Sequence, residues 1–213
     1  MSKDRILIYG SNELAIQIYC YLMEANIKVV GFLDDFKNIG DRIIDDVKVI
    51  GGFNDISRLF NLDVFSSVVI GIGYKHLNRK NKLFNELIEM NISISGFIHP
   101  TCYINKYSEI HTSSILYPNC VIDQRVVINK NVIVNLNTII SHDTKIGENT
   151  FIAPGVVISG NCIIGSNCFI GSGSVIKDNI TICDNVLLGI GSIVTNDILC
   201  EGIYFGIPAK LKR

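Results

Sequence analysis

The sequence has almost no excess of charge of either sign: 19 lysine and arginine residues stand against 20 aspartate and glutamate residues, for a formal net charge of −1. This balance gives no electrostatic reason to expect nucleic acid or an anionic membrane as a partner. No apolar stretch approaches the length of a transmembrane helix. Lys3, Asp4 and Arg5 lead at once into a short apolar run, without the long apolar segment and cleavage site of a signal peptide. We therefore expect a cytoplasmic protein with no membrane insertion.

Signs of disulfide bonding are also lacking. The seven cysteines are an odd number, and no two of them are spaced as CxxC. Four of them, Cys102, Cys120, Cys162 and Cys168, occupy one position of the repeat described next. We interpret these four as small buried apolar residues whose thiols are inert in a reducing compartment.

The second half of the sequence has a strict six-residue rhythm. Every sixth residue is aliphatic without an insertion, at Ile98, Ile104, Ile110, Leu116, Ile122, Ile128, Val134, Ile140, Ile146, Ile152, Ile158, Ile164, Ile170, Ile176, Ile182, Leu188 and Val194. Four residues after each lies a small or β-branched residue, at Cys102, Ser108, Ser114, Cys120, Val126, Val132, Thr138, Thr144, Thr150, Val156, Cys162, Cys168, Ser174, Ile180, Val186, Ser192 and Ile198. An α-helix repeats about every 3.6 residues and a strand about every 2, so neither explains this period.

A period of six predicts a parallel β-helix, in which each repeat is a short strand plus a corner and three repeats make one triangular coil. The aliphatic column then points inward, and the second column packs where the wall turns. Six glycines and asparagines near the corners predict sites of positive φ, at Gly147, Gly165, Gly171, Gly189, Asn129 and Asn135. The seventeen repeats predict between five and six coils. Ordinary strands that share a phase by chance are a poor alternative, because ordinary loops vary in length and would break the register.

The first half of the sequence has a different pattern. Residues 6–10, 28–35 and 66–73 predict three buried strands, and residues 12–26 and 76–91 predict two helices. This alternation predicts a small Rossmann-like parallel α/β sheet with room for a ligand at the carboxyl ends of its strands. The turn after the first strand lacks the glycines of GxGxxG, so NAD binding is not expected.

Two acidic residues end the second predicted strand. Asp34 and Asp35 can accept hydrogen bonds from a ribose or a base edge, or they can simply form a polar strand end, and the residues alone leave both possibilities open. Gly73 ends the third strand at the same edge. A half-sized nucleotide cradle fits this segment better than a complete cofactor domain.

These features together resemble a known group of enzymes. The six-residue run and the tail GIPAKLKR resemble the hexapeptide-repeat acyltransferases, which implies a left-handed β-helix. With the YG turn and FLDDFK of the first half, nearly the whole chain resembles bacterial nucleotide-sugar N-acetyltransferases and sialic acid O-acetyltransferases. The predicted organisation is a sugar-nucleotide-binding domain over residues 1–97, an acetyltransferase β-helix over residues 98–199 and a C-terminal cap over residues 200–213.

The resemblance also implies two sets of binding residues. Six positions align with substrate contacts of the nucleotide-sugar enzymes: Asn12, Glu13, Leu14, Asp34, Asp35 and Gly73. Glu13 and Leu14 depart from that family, in which a glycine and a histidine are common. Four positions align with the coenzyme A groove, namely Phe151, Gly160, Ser172 and Ile190, and Phe151 replaces a usual histidine. In such enzymes the groove lies between the subunits of a homotrimer.

His142 is the candidate catalytic base. It lies at a predicted corner beside Asp143, whose carboxylate can hold one imidazole nitrogen and so select the tautomer. Residues eighteen apart occupy equivalent places in successive coils, so Gly160 lies over His142, with room for a thioester and a backbone N–H for an oxyanion. A lone histidine at a corner is more often a solvated turn residue, but this pair aligns with the catalytic base and its acidic neighbour in the family. We interpret His99 and His111 as surface residues and assign no function to His76.

The resulting expectation is direct transfer of an acetyl group from acetyl-CoA to the amine of a UDP- or dTDP-linked 4-amino-4,6-dideoxy sugar. O-acetylation of sialic acid is the nearest alternative. A zinc enzyme would need convergent histidines that the sequence does not place together, so no metal site is predicted. A sugar nucleotidyltransferase would need a glycine-rich, basic nucleotide loop in the first half. A non-catalytic scaffold or sugar-binding module stays open as a different class of protein.

Overall fold

A computed structural model describes residues 5–212, and these divide into two compact units on either side of the bond between Ser95 and Gly96. The predicted boundary followed residue 97, two residues later. None of the helices in the described part of the chain is both long and apolar enough to cross a bilayer.

The first unit is an α/β sheet with helices. Its elements are β1 (Arg5–Tyr9), α1 (Glu13–Glu24), β2 (Lys28–Leu33), β3 (Arg42–Ile44), β4 (Val47–Gly51), α2 (Ile56–Asn61), β5 (Ser67–Ile70) and α3 (Leu77–Glu89), with short 3₁₀ turns at Phe53–Asp55 and Tyr74–His76. The strand order is β3-β4-β2-β1-β5. All neighbours pair in parallel except β3 and β4, which form an antiparallel edge hairpin.

The three predicted strands and two predicted helices are confirmed, whereas β3, α2 and β4 were not predicted. The hairpin turns at Asp45, which has a φ of 48°. The sequence signal for this hairpin was the Asp45-Asp46 pair between two short β-branched segments, because aspartate tolerates the left-handed region better than most residues. The central strand β1 is buried on both faces, with Leu7 and Ile8 fully inaccessible to solvent. Parallel strands covered by helices take this continuous apolar pattern rather than an alternating one.

Helix α3 buries a lysine against this sheet. Lys80 is only 1% exposed and shares the buried face of the helix with Leu83, Phe84 and Leu87. Burial lowers the pKa of Lys80 to about 7, because removal from water disfavours the charged ammonium.

This burial predicts a pH-dependent cost to stability. Between about pH 7 and the ordinary lysine pKa of about 10.4, the unfolded chain binds a proton that the folded chain releases, so stability rises with pH across that window. Lys80→Met is therefore expected to raise the free energy of unfolding at neutral pH, by an amount on the order of a few kcal/mol. The gain should be much smaller at pH ~10, where the lysine is neutral in the folded chain and close to its own pKa in the unfolded chain. Calorimetry of the full chain at both pH values checks this, and an equal gain at both would contradict it.

The second unit is the predicted β-helix. Its coil strands, β6 to β22 in chain order, are Phe97–Ile98, Tyr103–Ile104, Glu109–Ile110, Ile115–Leu116, Val121–Ile122, Val127–Ile128, Ile133–Val134, Ile139–Ile140, Lys145–Ile146, Phe151–Ile152, Val157–Ile158, Ile163–Ile164, Phe169–Ile170, Val175–Ile176, Thr181–Ile182, Val186–Leu188 and Ile193–Val194. From β6 to β19, each strand pairs in parallel with the strand three positions later, so that Val121 lies beside Ile139 and Ile139 beside Val157. One coil is therefore eighteen residues.

The coils build three flat sheets, which we name by the order in which the chain reaches them. The first face contains β6, β9, β12, β15, β18 and β21. The second face contains β7, β10, β13, β16, β19 and β22, and the third contains β8, β11, β14, β17 and β20. The predicted cap adds β23 (Gly202–Phe205), parallel to β21, and β24 (Lys210–Leu211), antiparallel to β23, to the end of the first face.

The aliphatic residues and the small residues of the six-residue repeat both pack inside the β-helix, as predicted. From Leu116 to Val194 every member of the aliphatic column is buried, and in the first coil Ile98 is exposed because it ends the stack. Burying one such side chain stabilises the fold by about 1.5–3 kcal/mol. Most polar members of the second column donate to corner carbonyls fifteen residues ahead, as Thr150 Oγ1 does to Gly165 O at 2.8 Å, whereas Ser192 Oγ donates back to Gly189 O. Burial raises the pKa of the Cys168 thiol to about 12, in agreement with an inert role.

The predicted corner residues are displaced from the sites of positive φ. Those sites lie two positions later, as at Asn131 rather than Asn129 and at Gly173 rather than Gly171. The earlier glycines serve close packing between coils instead. A Cβ on Gly147, for example, would lie 2.5 Å from the backbone of Gly165 in the next coil.

Candidate active site

His142 lies on the edge between the second and third faces, in a stack of equivalent corner residues. Asp143 N donates to Gln124 O at 3.0 Å, and Asn161 N donates to His142 O at 2.8 Å. Asn179 N donates to Gly160 O at 3.0 Å in the coil above. These backbone bonds fix Gln124, His142 and Gly160 one above another, as the eighteen-residue step predicted.

The imidazole of His142 is oriented by its neighbour in the chain. His142 Nδ1 lies 2.9 Å from Asp143 Oδ2, and the histidine side chain is 50% exposed. The Arg125 guanidinium, and after it the His142 ring, holds the pKa of Asp143 well below its usual range. The ionised carboxylate can only accept a hydrogen bond, so the proton of the neutral ring resides on Nδ1 and Nε2 keeps its lone pair.

Gly160 leaves just enough space for that ring. A Cβ placed on Gly160 would lie 2.5 Å from both Cε1 and Nε2 of His142, closer than real contacts allow. The residue is buried, and within residues 5–212 its amide has no acceptor in hydrogen-bond range. The reactive edge of the imidazole therefore lies against Gly160, whose backbone N–H is available as a donor.

The two acids predicted for the substrate site lie at the carboxyl edge of the first unit's sheet. Asp34 accepts from Ser11 Oγ at 2.5 Å and from the backbone N–H of Phe36 at 2.9 Å, and is almost fully buried. Asp35 accepts from Phe53 N at 2.7 Å and from the hydroxyl of Tyr9. Both carboxylates are thus held in place by protein donors, with lone pairs to spare for a ligand.

The other four predicted substrate residues lie at the same edge. Asn12 is the N-cap of α1, Glu13 is the first residue of that helix, and both are exposed. Gly73 lies beyond β5, and a Cβ on it would be 3.8 Å from Leu14 Cδ2. Gly73 and Leu14 are therefore neighbours at this edge, at van der Waals distance.

Sequence reasoning missed an aromatic and cationic group at this edge. The Arg79 guanidinium lies over the rings of Tyr9 (6.0 Å) and Phe53 (5.7 Å) and donates to Glu86 at 2.8 Å. Burial, followed by the hydrogen bond to Asp35, raises the pKa of the Tyr9 hydroxyl. Only an indirect signal for this group is present in the sequence. Arg79 comes near Asp35 because α3 begins just after β5, at the same edge of the sheet.

Of the four residues predicted for the coenzyme A groove, Gly160 lies at His142 and the other three lie elsewhere in the β-helix. Phe151 is on the first face, buried against Phe169 with ring centroids 5.9 Å apart. Ser172 and Ile190 are exposed and stack on the edge between the first and second faces, where Gly191 N donates to Ser172 O. Within one chain, the second face thus separates them from His142 and Gly160.

The remaining histidines have local roles, and one prediction about them is wrong. His111 is exposed as expected, but His99 is buried, with its ring edge-on to Phe97. In both histidines, Nδ1 accepts a hydrogen bond at 3.2 Å from the backbone nitrogen two residues later. Each imidazole therefore stabilises the turn in which it lies. Among the described residues no group of three or more His, Cys, Asp or Glu side chains is arranged to hold a metal ion.

Comparison with known proteins agrees with this architecture. Residues 143–178 match the bacterial transferase hexapeptide family (six repeats). A histidine-substituted perosamine N-acetyltransferase from Caulobacter crescentus, in complex with CoA and GDP-perosamine, is similar with a TM-score of 0.91 and 21% identity over 98% of this chain and 96% of that chain. The acetyltransferase domain of PglB from Neisseria gonorrhoeae FA1090 has a TM-score of 0.86 and 21% identity over 98% of this chain and 99% of that one.

WeeI from Acinetobacter baumannii AYE is similar as well, with a TM-score of 0.82 and 21% identity over 96% of this chain and 98% of that chain. Comparison with curated proteins found no significant sequence match. The structural similarities confirm the predicted fold: an α/β unit followed by a left-handed parallel β-helix of hexapeptide repeats, as in structures of acetyltransferases.

Proposed function

We propose that this protein transfers the acetyl group of acetyl-CoA to the amine of a nucleotide-linked 4-amino-4,6-dideoxy sugar, with His142 as the general base. The observation that carries the proposal is the geometry at the β-helix edge. Asp143 holds Nδ1 of His142, and a Cβ on Gly160 would lie 2.5 Å from Nε2, so only a glycine leaves the imidazole in this place. We place the reaction in the cytoplasm and in bacterial surface glycan biosynthesis.

The proposed chemistry is a direct transfer. The sugar amine attacks the thioester carbonyl carbon while Nε2 of His142 takes its proton, and the Asp143 carboxylate stabilises the imidazolium that forms. The Gly160 N–H donates to the carbonyl oxygen as it gains negative charge. The C–S bond then breaks, and coenzyme A leaves as the thiolate. Correct positioning of amine and thioester supplies the rest of the acceleration.

The nucleotide sugar is assigned to the first unit. Asn12, Glu13, Leu14, Asp34, Asp35 and Gly73 lie together at the edge where parallel α/β sheets bind ligands. The C. crescentus enzyme of the same fold is described with bound GDP-perosamine and CoA, which supports this class of substrate. The carboxylates of Asp34 and Asp35 suit the hydroxyl and amide donors of a nucleoside.

A homotrimer would complete the site. The outward residues of the second face are all apolar, namely Tyr103, Val121, Ile139, Val157, Val175 and Ile193, whereas the third face presents Glu109, Val127, Lys145, Ile163 and Thr181. The second face is bordered by the His142 edge on one side and the Ser172 edge on the other. Threefold packing through this face brings the His142 edge of one subunit to the Ser172 and Ile190 edge of its neighbour. Acetyl-CoA would lie in that groove.

Substitution on the apolar face tests the trimer. Ile139→Glu places a carboxylate on the second face, where the isoleucine is 41% exposed in the single chain. We expect monomers in analytical ultracentrifugation and loss of nearly all acetyl transfer, because burying an unpaired charge in an interface is costly. Ile163→Glu is the matched control, since Ile163 is 51% exposed on the third face. Trimers that persist in the Ile139 variant, or dissociation of both variants, would contradict the assignment.

A substrate panel tests the reaction itself. The purified protein is incubated with acetyl-CoA and UDP-, dTDP- or GDP-linked 4-amino sugars, with sialic acid as comparator. Thiol release is followed, and the product is analysed by mass spectrometry for one added acetyl group. N-acetylated nucleotide sugar supports the proposal, and O-acetylated sialic acid would replace the amine acceptor. No thiol release with any acceptor would indicate a scaffold or binding module.

A further inference from the structure

Two corner residues of the β-helix differ in type from the residues at all its other corners of positive φ. Thirteen residues in the coils have positive φ: Asn119, Arg125, Asn131, Asn137, Asp143, Asn149, Gly155, Asn161, Asn167, Gly173, Asn179, Asn185 and Gly191. Eleven are asparagine or glycine, the residues that adopt this conformation most readily. The two exceptions are Arg125, with a φ of 55°, and Asp143, with a φ of 59°. They occupy equivalent positions in consecutive coils.

Arginine is poorly suited to that conformation. Its Cβ crowds the backbone in the left-handed region, and it has no short polar group to compensate as asparagine has. Asn161 and Asn179 continue the same edge, so asparagine fits the stack at this corner. Strained residues of this kind persist where the surrounding structure uses them, and they concentrate at functional sites.

Arg125 binds Asp143 with both arms of its guanidinium. Nε lies 2.6 Å from Oδ1 and the terminal NH2 nitrogen lies 2.9 Å from Oδ2. The same Oδ2 is 2.9 Å from Nδ1 of His142. A bidentate pair fixes the plane of the carboxylate as well as its position. Arg125, Asp143 and His142 thus form a chain of contacts that ends at the face of Gly160.

We propose that Arg125 is a positioning residue, which acts through Asp143 to hold the imidazole of His142 in one orientation and one tautomer. This role rests on the proposed function of His142. Without Arg125, the Asp143 carboxylate is free to turn about its side-chain bonds, and the half-exposed imidazole loses its fixed partner. The side-chain hydrogen bonds of Arg125 go to the two oxygens of Asp143, so we expect its effect to be transmitted through the carboxylate.

An ordinary surface ion pair is the competing explanation, since the Arg125 side chain is 56% exposed and exposed pairs contribute little to stability. The chain offers a matched comparison. Lys130 and Glu148 also pair across one coil, with Nζ and Oε2 3.1 Å apart, on the edge between the third and first faces. That pair lies on a different edge from His142, and a purely structural role would make the two pairs equivalent.

The first test replaces Arg125 with the residue that the other corners use. Arg125→Asn relieves the strain, so the melting temperature is expected to stay the same or rise. The kcat for acetyl transfer is expected to fall about 10-fold, while the KM for acetyl-CoA stays within about twofold, because binding is intact and the base is misplaced. Lys130→Ala serves as the control and should keep the wild-type kcat. Wild-type kcat in the Arg125 variant would overturn the proposal.

A double-variant cycle tests whether Arg125 acts through Asp143. Asp143→Asn also suits the corner, so the fold is retained. If Arg125 works only through this carboxylate, the Arg125→Asn and Asp143→Asn double variant is no slower than Asp143→Asn alone. Losses that multiply would show that Arg125 acts independently and would overturn the proposed route.

A measurement without turnover separates this proposal from the function itself. The tautomer of His142 can be followed by ¹⁵N NMR of histidine-labelled protein, with His142→Ala to assign the signal. We expect Nδ1–H alone in the wild type and a mixture of tautomers in Arg125→Asn. Should no acceptor be acetylated by the wild type, the proposed function fails, and this spectrum still decides the positioning role. An unchanged spectrum in the Arg125 variant would refute it.

Discussion

Replacing His142 with alanine is expected to lower kcat for acetyl transfer by about 10²- to 10⁴-fold, the usual contribution of a positioned general base. The ring is half-exposed and lies outside the hydrophobic column, so its removal should leave the melting temperature nearly unchanged. The KM for acetyl-CoA should also change little. Stopped assays of thiol release at several pH values, with circular dichroism on the same samples, provide the measurement.

His111→Ala is the control for this experiment. His111 is an exposed corner histidine of the same β-helix whose Nδ1 contacts Ser113 Oγ at 2.8 Å in its own turn rather than an acidic partner. Its loss should leave kcat unchanged. Full turnover in the His142 variant would remove the proposed mechanism while leaving the fold untouched.

Gly160→Ala is expected to be nearly as damaging as loss of the base, with a decrease in kcat of about 10²-fold. The new methyl group would lie 2.5 Å from Cε1 and Nε2 of His142, so the ring must swing away from both Gly160 and Asp143. Gly160 does not have positive φ, so alanine strains no backbone there and the fold should persist. Steady-state kinetics and a melting curve of the same preparation check both halves of this expectation.

The cause of that loss can be isolated by combining substitutions. If displacement of the imidazole is responsible, Gly160→Ala added to His142→Ala should cause no further decrease. Gln124→Ala, on the same edge one coil below His142, should keep wild-type activity. A Gly160 variant that retains normal turnover would show that the ring does not need its present position.

Much of the second unit was predictable because its sequence repeats in step with its geometry. Each six-residue repeat adds one strand and one corner, so a single rule places every aliphatic residue from Leu116 to Val194 inside. The same rule placed Gly160 over His142. It misplaced the corners by two residues, since glycine serves both close packing, as at Gly147, and positive φ, as at Gly155, and composition does not separate these causes.

The first unit was less completely predictable. Its three buried parallel strands and two longer helices have strong apolar patterns, whereas β3 has only three residues and pairs only with β4. Short edge strands carry little burial, so their sequences are weakly constrained. The roles of Tyr9 and Arg79 around Asp35 depend on residues 26 and 70 positions apart that meet only when the sheet has formed.

By itself, the sequence determined the period, and with it the β-helix, its inward columns and the coil on which His142 lies, because a strict repeat of six returns each residue type to the same place in every coil. Only the tertiary structure decided that Arg125 grips both oxygens of Asp143 and that the imidazole rests on Gly160. The physical reason is that a hydrogen bond depends on tenths of an ångström and on side-chain rotamers. Spacing along the chain specifies which residues are neighbours, but not how their side chains meet.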